Sequence, residues 1–574
     1  MKLNGAHILC QSLIKEGVEV IFGFPGGSVL TLYDTLLHYP ELRHILVRHE
    51  QCAAHAADGY ARVTGKPGVC LATSGPGATN LVTGLATAHL DSVPIIAITG
   101  QVGRPFLGKD AFQEADITGI TIPITKHNYL IMKASEIAGT VKEAFYLANT
   151  GRPGPVLLDI PRDIFLEEAE FEYPDKINLP SYKPLLHGHP AQIKKAAKLI
   201  NEARKPVIIS GRGVIISNAY GELKELAEKM QIPVITTLLG ISSFPETHVL
   251  SFGMLGMHGT AYANMAVSQA DLVIAIGMRF DDRATCRVDG FAPNAHIIHI
   301  DIDPAEIGKN IRVDVPIVGD AKNVLQALNK QLTAHLHAGW LHQMESWQEK
   351  HPSTEFRNTN ELLPQYVVNK IYEITKGDAI IVTGVGQNQM WAARNFWYDK
   401  PGSFISSGGL GTMGFELPAA LGAKIGCPKE NVWAICGDGG FQMTLHELAT
   451  AVQDNIAVKI AILNNGYLGM VRQWQQLFYN KRYMATPISC PDLVKIAEAY
   501  GLPGVRVTDK IQVAPVIQQA MEHDGPFLID FRIKPEENVF PIVPPGAAIT
   551  ELIEDTNGEG TTSDEASSLI VSNI

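Results

Sequence analysis

The sequence predicts an α/β protein made of three doubly wound domains, each with a parallel sheet covered by helices. Short apolar segments alternate with helical patterns along almost the whole chain, which is typical of parallel sheets. The segments 69–73 and 95–99, for example, are mostly apolar and are each followed by turn residues. With 574 residues, the chain is also too long for one hydrophobic core.

Breaks in this pattern indicate the domain boundaries. A polar, proline-bearing stretch at 167–190 is predicted as a linker. Residues 331–362 are polar and helix-prone and are predicted to connect the second domain to the third. Residues 555–574 are small and polar and are predicted to form a disordered tail. The predicted domains are residues 1–166, 191–330 and 363–550.

Composition and charge argue against several classes of protein. Hydrophobic residues make up 46% of the chain and charged residues 18%, as in a large globular protein. A net charge of −12 argues against a general nucleic-acid surface, and no apolar run reaches the ~18 residues of a membrane span. The seven cysteines are scattered, and no signal or transit pattern is visible. We therefore expect reduced thiols and a cytoplasmic protein without membrane or nucleic-acid partners.

A glycine-rich turn in the third domain carries a candidate metal ligand. Asp438 stands in the sequence Gly-Asp-Gly-Gly at 437–440, between a predicted strand and a helix-like run over 441–452. A helix N-terminus favours a bound phosphate, and a carboxylate beside it can bind a Mg²⁺ that also takes phosphate oxygens. Asn465 follows the next predicted strand, so both side chains are expected at one edge of the sheet. An ordinary pair of glycine-rich turns is the alternative.

The spacing of Gly-Asp-Gly and Asn-Asn resembles the motif of the thiamine diphosphate-dependent enzymes. The resemblance implies thiamine diphosphate and Mg²⁺ as cofactors, with Asp438, Asn465 and a backbone carbonyl at Tyr467 as metal ligands. It also implies that Gly439 and Gly440 lie beside the diphosphate. The third domain would then bind the diphosphate, and the first domain would bind the aminopyrimidine ring.

Glu50 is the candidate for proton transfer in the first domain. It stands at the end of a predicted strand, before an alanine-rich helix. Residues 46–62 match the segment that, in this family, carries a glutamate hydrogen-bonded to the aminopyrimidine ring. The resemblance implies that Glu50 assists deprotonation of the cofactor. The alternative is an acidic residue that only favours the helix N-terminus.

A glycine-rich stretch at 406–415 supplies further implied cofactor contacts. Glycines let a backbone approach a planar ring closely. By resemblance, the Gly411 carbonyl accepts a hydrogen bond from the 4′-amine of the cofactor, and Met413 supports its bent conformation. A methionine in an apolar patch is more commonly plain core. Gly386 and Gln387, in a matching block at 384–391, complete these contacts.

Over residues 1–550 the chain resembles the large, catalytic subunit of the acetohydroxyacid synthases, also called acetolactate synthases. The matching blocks lie at 24–27, 73–80, 110–114, 384–391 and 469–474. The resemblance implies that one 2-oxo acid is decarboxylated and that its two-carbon unit joins a second 2-oxo acid. Gly27 and Gln113 are implied to line the reacting carbons.

The same resemblance implies an assembly. Glu50 and Asp438 lie in different domains, and this family builds its active site between two subunits. We therefore expect a homodimer or a dimer of dimers. A regulatory small subunit is a further partner that the family commonly has, although no residue here identifies its binding site.

The middle domain points to a second cofactor. The sequence Arg-Phe-Asp-Asp-Arg at 279–283 resembles the FAD-associated segment of the biosynthetic synthases and implies an FAD without a redox role. A cluster of surface charges after a strand is the alternative. The residues implied for FAD binding are Arg152, His258, Arg279, Asp301 and Asp320.

Two residues are candidates for contact with the acceptor substrate. Arg283 can pair with a carboxylate through two parallel hydrogen bonds. Trp474 is implied to favour 2-oxobutanoate over a second pyruvate through apolar contact, with simple packing on its helix as the alternative. Arg162 stands where a lysine is common in the family, so any pocket contact assigned there stays open.

The implied products are 2-acetolactate and 2-aceto-2-hydroxybutanoate, which lead toward valine, leucine and isoleucine. Two rival functions use related sites. One is an oxidoreductase of the pyruvate oxidase type, in which the FAD is redox-active. The other is a non-catalytic relative that only holds nucleotides.

Overall fold

The computed structural model describes residues 1–352 and 359–554. Within these ranges the chain forms three α/β units, each around a parallel sheet of six strands. This confirms the predicted fold class. The tail predicted at 555–574 lies outside the described residues. No helix of the described ranges is both long and apolar enough to cross a membrane.

The N-terminal unit contains strands β1 to β8 and helices α1 to α7. The elements are β1 (Lys2–Asn4), α1 (Gly5–Lys15), β2 (Val20–Gly23), α2 (Leu30–Leu36), β3 (Arg43–Leu46), α3 (Glu50–Thr64), β4 (Gly68–Ala72), α4 (Pro76–Asn80), α5 (Val82–Leu90), β5 (Ile95–Gln101), α6 (Ile117–Thr121), β6 (His127–Leu130), α7 (Ile137–Asn149), β7 (Val156–Pro161) and β8 (Glu168–Glu170). The main sheet has the order β3-β2-β4-β5-β7-β6, and β1 pairs with β8 in a separate antiparallel ribbon.

The middle unit contains strands β9 to β14 and helices α8 to α13, and helix α14 follows it. The elements are α8 (Pro190–Glu202), β9 (Pro206–Ser210), α9 (Arg212–Ile216), α10 (Tyr220–Met230), β10 (Val234–Thr236), β11 (Ser251–Met254), α11 (Ala261–Gln269), β12 (Leu272–Ile276), α12 (Asp282–Thr285), β13 (His296–Asp301), β14 (Val315–Val318), α13 (Ala321–Asn329) and α14 (Ala338–Lys350). The sheet has the order β11-β10-β9-β12-β13-β14.

The C-terminal unit contains strands β15 to β20 and helices α15 to α22. The elements are α15 (Pro364–Thr375), β15 (Ile380–Thr383), α16 (Gln387–Asn395), β16 (Phe404–Ser406), α17 (Glu416–Gly426), β17 (Val432–Gly437), α18 (Asp438–Thr444), α19 (Leu448–Gln453), β18 (Lys459–Asn464), α20 (Gly469–Phe478), α21 (Leu493–Tyr500), β19 (Gly504–Val507), α22 (Lys510–Glu522) and β20 (Phe527–Arg532). The sheet has the order β16-β15-β17-β18-β20-β19.

Burial on both faces explains why the strands are continuously apolar. Every residue of β5, β12 and β18 is buried between layers of helices. A strand covered on both faces cannot alternate polar and apolar residues, because neither side meets water. The apolar segments predicted at 69–73 and 95–99 are therefore observed as the strands β4 and β5, with bounds that differ by one or two residues at an end.

The helix-like run predicted over 441–452 is helical at every residue, although it is not a single α-helix. The run expected over 441–452 is broken into α18, a 3₁₀ turn at Leu445–Glu447, and α19. In the turn, Glu447 points toward the N-terminal unit, where its Oε1 accepts the backbone N–H of Arg48 at 2.9 Å and of His49 at 3.2 Å. This tertiary contact caps the start of α3, so it stabilises a local conformation that helix periodicity does not encode.

Helix α3 packs directly on α17, and this contact joins the N-terminal and C-terminal units. A Cβ on Gly59 would lie 1.9 Å from the carbonyl oxygen of Ala419, and one on Gly422 would lie 1.8 Å from that of Ala56. Only glycine permits such close backbone approach. The contact fixes α3, which begins with Glu50, against the sheet that carries Asp438.

Candidate active site

The turns after β17 and β18 bring Asp438 and Asn465 to one edge of the C-terminal sheet. The two strands pair in parallel, so their turns leave the sheet side by side. Asp438 is 1% exposed, and its carboxylate accepts the N–H of Gly466 at 3.1 Å. The side-chain oxygen of Asn465 accepts the N–H of Tyr467 at 3.1 Å. The structure therefore places the three candidate metal ligands together.

These groups fit a divalent cation. Burial raises the pKa of Asp438 to about 6, which means that its surroundings do not balance a negative charge there. A cation would balance it, and carboxylate, amide and backbone carbonyl oxygens are ligands that Mg²⁺ prefers. Gln387 orients one of them, because its Oε1 accepts a hydrogen bond from the Asn465 amide at 3.3 Å.

Side chains pack closely behind the glycines of the Gly-Asp-Gly-Gly turn. A Cβ on Gly439 would lie 2.8 Å from Cδ2 of Leu468 and 3.6 Å from Cε of Met413. A Cβ on Gly440 would lie 2.5 Å from Oε1 of Glu416. Met413 therefore lies beside this turn, close to where the family binds the diphosphate. Glu416 is buried, and burial raises its pKa to about 7.

A buried ion network connects the N-terminal unit to the stretch that contains Gly411. Arg62 on α3 pairs with Asp58 at 2.5 Å and with Asp91 at 2.8 Å. It also donates a hydrogen bond to the carbonyl of Ser406 at 2.9 Å. The spacing of Asp58 and Arg62, four residues apart on one helix, could have indicated this pair from the sequence. The pairing of Asp91 with Arg62 could not have been predicted from spacing, because the two residues meet only in the folded chain.

Asp91 also fixes the glycines before Gly411. Its carboxylate accepts the N–H of Gly408 at 3.2 Å and of Gly409 at 2.7 Å. Gly411 itself has a φ of +77°, a conformation that favours glycine. The N-terminal unit therefore shapes the stretch of the C-terminal unit that is predicted to bind the cofactor, within one chain.

Glu50, Gln113 and Gly27 surround the segment 73–80. Glu50 is 8% exposed, and its Oε2 accepts a hydrogen bond from the Asn80 amide at 2.9 Å. A Cβ on Gly75 would lie 2.8 Å from the carbonyl oxygen of Gln113. Gly27 is exposed and precedes Ser28, which contacts the same segment through Thr73. The sequence analysis missed Asn80 as the partner of Glu50, although it lies in a matching block.

All seven residues implied for FAD binding and acceptor contact line one cavity of about 700 Å³ between the three units, together with two of the implied thiamine diphosphate contacts. The set joins residues from α12, α20 and several strand ends. Its predicted members are Arg152, His258, Arg279, Arg283, Asp301, Asp320, Gly386, Gly411 and Trp474.

The chemistry of this cavity fits FAD. Arg212 lines it, and among the described residues the buried Nε of this arginine has no hydrogen-bond partner, so a bound anionic diphosphate could accept from it. The buried Nδ1 of His258 also lacks a hydrogen-bond partner within residues 1–352 and 359–554. Arg152 is held at the cavity by Glu306 at 2.7 Å and Asp303 at 3.2 Å. Arg212 was missed by the sequence analysis, although it stands in a Gly-Arg-Gly turn.

The cavity does not include the whole predicted site. Neither Glu50 nor Asp438 is among its lining residues. Arg283 lines it with a side chain that is 61% exposed and lies 3.5 Å from Asp282. Arg162 is exposed at the end of β7 and does not line it, so its side chain has no assigned contact there.

Comparison with known proteins identifies relatives over nearly the whole chain. Three family profiles match: "Thiamine pyrophosphate enzyme, N-terminal TPP binding domain" at 3–120, the central domain of the same enzymes at 193–328, and their C-terminal TPP binding domain at 384–531. An acetolactate synthase of Mycobacterium bovis is 52% identical over 564 residues, covering 96% of this chain and 91% of that protein.

Two further relatives come from other organisms. An acetolactate synthase large subunit of Corynebacterium glutamicum is 51% identical, over 96% of this chain and 90% of its own length. A probable acetolactate synthase large subunit of Methanocaldococcus jannaschii is 50% identical over 570 residues, covering 96% of this chain and 95% of its own.

Proposed function

The chain belongs to the thiamine pyrophosphate enzymes and, within them, to the acetolactate synthases, and from that premise we propose how its residues divide the catalytic work. It decarboxylates pyruvate and transfers the hydroxyethyl unit to pyruvate or 2-oxobutanoate. The products, 2-acetolactate and 2-aceto-2-hydroxybutanoate, serve branched-chain amino-acid biosynthesis. Bound thiamine diphosphate supplies the nucleophilic carbon and the electron sink. Mg²⁺ anchors its diphosphate, and FAD takes no part in redox chemistry.

Glu50 hydrogen-bonds the aminopyrimidine ring and holds the proton that activates it. The carboxylate is buried at the first residue of α3 and oriented by Asn80 at 2.9 Å. A side chain held in this way keeps one geometry while it gives and takes a proton. Gln113 and the backbone of Gly27, from the same neighbourhood, line the reacting carbons.

Asp438, Asn465 and the carbonyl of Tyr467 hold Mg²⁺. The backbone around Gly386, Gly439 and Gly440 receives the diphosphate. Gln387 supports this end of the site by orienting Asn465. The Gly411 carbonyl would accept a hydrogen bond from the cofactor's amine, and Met413 would pack against the cofactor rings.

Arg283 and Trp474 select the acceptor. A guanidinium that lines the cavity yet is largely exposed can reach the carboxylate of an incoming 2-oxo acid. The indole of Trp474 offers an apolar surface, and its Nε1 has no hydrogen-bond partner among the described residues. The larger acceptor gains apolar contact with this surface. Arg152, His258, Arg279, Asp301 and Asp320 hold the FAD.

The active site is completed between two copies of the chain. This is supported by the division of the site between two units of the chain. Glu50 lies on the N-terminal unit and Asp438 on the C-terminal unit, and neither residue lines the large cavity. A homodimer, or a dimer of dimers, would bring Glu50 of one copy against Asp438 of the other. A two-fold interface of this kind forms two equivalent sites.

Mixing two inactive variants tests this arrangement. Glu50→Gln and Asp438→Ala each inactivate both sites of their own dimer. In a mixed dimer one site carries both substitutions and the other carries neither. Random mixing should therefore restore about a quarter of the wild-type activity. If each site is formed within a single chain, mixing restores nothing and the dimer proposal fails.

The reaction is tested by incubating the protein with pyruvate, thiamine diphosphate and Mg²⁺, with and without FAD. We expect acetolactate formation that depends on FAD, without reduction of the flavin. Acetate with reduced flavin would instead indicate a pyruvate oxidase, and the roles of Arg283 and Trp474 would then be wrong.

Three broader features belong to the same proposal. The domain boundaries are 1–166, 191–330 and 363–550, which enclose the three main sheets. A separate small subunit binds the chain, as the name "large subunit" of the relatives suggests. The protein is cytoplasmic, since all seven of its cysteines are free, as expected in a reducing compartment.

A further inference from the structure

A second cluster of metal-ligating side chains lies where α3 meets the C-terminal unit. Cys52 comes from the first turn of α3, and His446 and Glu447 come from the 3₁₀ turn between α18 and α19. Sγ of Cys52 lies 3.5 Å from Nε2 of His446, which lies 3.6 Å from Oε1 of Glu447. All three ligand atoms are within 4.8 Å of one another. None of these residues takes part in the catalytic roles assigned above.

The distances suit a tetrahedral ion with mixed ligands. Zinc binds sulfur at about 2.3 Å and histidine nitrogen at about 2.0–2.1 Å, so a tetrahedral angle separates the two ligand atoms by about 3.5 Å. The corresponding nitrogen–oxygen separation is about 3.4 Å. The observed 3.5 Å and 3.6 Å therefore already form two edges of a zinc tetrahedron. We propose that Cys52, His446 and Glu447 form a binding site for Zn²⁺, with water as the fourth ligand.

Glu447 is already oriented for this role. Its Oε2 accepts the hydroxyl of Thr450 at 2.6 Å, and its Oε1, the proposed ligand atom, accepts the backbone N–H of Arg48 and His49, one of which zinc would replace. Carboxylates that bind metals are commonly held by such outer hydrogen bonds. The side chain is buried, so little conformational freedom is lost when the ion binds.

Ligand chemistry separates this site from the Mg²⁺ site. The Mg²⁺ ligands proposed above are all oxygen atoms, whereas this cluster offers one sulfur and one nitrogen. Thiolate and imidazole select zinc over magnesium, which takes oxygen ligands. Binding forms a zinc–sulfur bond and releases the thiol proton to solvent. The His446 side chain, 35% exposed, gives water access to the fourth position.

The site bears on the active centre through the helix that carries Glu50. Cys52 follows Glu50 by two residues in the first turn of α3. An ion shared with His446 and Glu447 would tie this turn to the C-terminal unit. Zinc binding should therefore raise the thermal stability of the holoenzyme, an effect that does not depend on the catalytic roles proposed for other residues.

Zinc content and X-ray absorption test the proposal. The holoenzyme, with thiamine diphosphate, FAD and saturating Mg²⁺, is given one equivalent of ZnCl₂ and desalted. We expect one zinc per chain, with one sulfur neighbour at about 2.3 Å. Cys52→Ser should remove the sulfur neighbour. Loss of a direct ligand should weaken zinc binding by more than about 100-fold, the upper cost of losing an outer-shell partner.

Two further variants keep the test decisive. Cys427→Ser is the matched control, because it removes a half-buried thiol that lies outside the cluster, against the carbonyl of Val63. It should retain zinc like the wild type. His446→Gln changes a partly exposed side chain, so it should fold even if Cys52→Ser does not, and it should lose the imidazole signal. No retained zinc, zinc with only nitrogen and oxygen neighbours, or equal binding by His446→Gln and wild type would each overturn the proposal.

Discussion

Asp91 provides a direct test of how the N-terminal unit shapes the cofactor-binding stretch. Its buried carboxylate pairs with Arg62 at 2.8 Å and accepts the N–H of Gly408 and Gly409. Asp91→Asn preserves the size of the side chain but removes its charge. One of the two oxygens becomes an NH₂ group, which must face an arginine or a backbone N–H that is itself a donor. At least one of these contacts is therefore lost.

Asp91→Asn is expected to remove about 3 kcal/mol of interaction free energy between this side chain and its partners. Hydrogen bonds to a charged group contribute about 1.5–3 kcal/mol, and breaking a buried ion pair costs about 3–5 kcal/mol. The lower end applies because Arg62 keeps its partner Asp58. If the loss falls on the stretch that presents Gly411, the affinity for thiamine diphosphate drops by about 100-fold, since 1.4 kcal/mol corresponds to a factor of ten.

The assay is a titration of thiamine diphosphate at fixed Mg²⁺, followed by quenching of tryptophan fluorescence, with the urea midpoint measured in parallel. Asp454→Asn is the matched control. Asp454 also links the N-terminal and C-terminal units, through Arg43 at 3.4 Å, but this arginine is largely exposed. An exposed pair contributes at most about 1 kcal/mol. Wild-type affinity and midpoint in Asp91→Asn, or equal losses in both variants, would refute the reasoning.

Three further predictions follow from the site. Glu50→Gln should slow hydrogen–deuterium exchange at C2 of bound thiamine diphosphate by at least about 100-fold, and an unchanged rate would contradict the role of Glu50. Burial raises the pKa of Glu416 from 4.5 to about 7, so the folded chain binds the carboxyl proton more tightly than the unfolded chain. The free energy of unfolding therefore falls as the pH rises from about 4.5 to 7. Glu416→Gln should therefore raise the free energy of unfolding by up to about 3 kcal/mol at pH 8 but not at pH 4.5, and urea midpoints that shift equally at both pH values would exclude this cause. Trp474→Leu should lower the ratio of 2-aceto-2-hydroxybutanoate to acetolactate by at least about tenfold when both acceptors compete, and an unchanged ratio would leave Trp474 as a packing residue.

The sequence by itself determined the architecture. It also determined the placement of Asp438 and Asn465, because that placement depends only on the order of two neighbouring strands. Continuous apolar segments indicated parallel sheets, because a strand buried on both faces has no polar positions. Asp438 and Asn465 could be placed together before any coordinates, since turns after neighbouring parallel strands leave the same edge of the sheet. Glu50, Arg283, Trp474 and the FAD residues came from the family resemblance. Their roles are not recoverable from periodicity or spacing.

Only the tertiary structure decided which distant side chains meet. Asp91 was not indicated by any spacing, and the pairing of Cys52 with His446 joins residues 394 positions apart. The 3₁₀ turn at Leu445–Glu447, which divides the predicted helix-like run, was not indicated for the same reason, because its Glu447 contacts α3. Periodicity records whether a residue is buried, but not which helix covers it. That partner is set by the close approach of α3 and α17, where Gly59 and Gly422 bring the two backbones together.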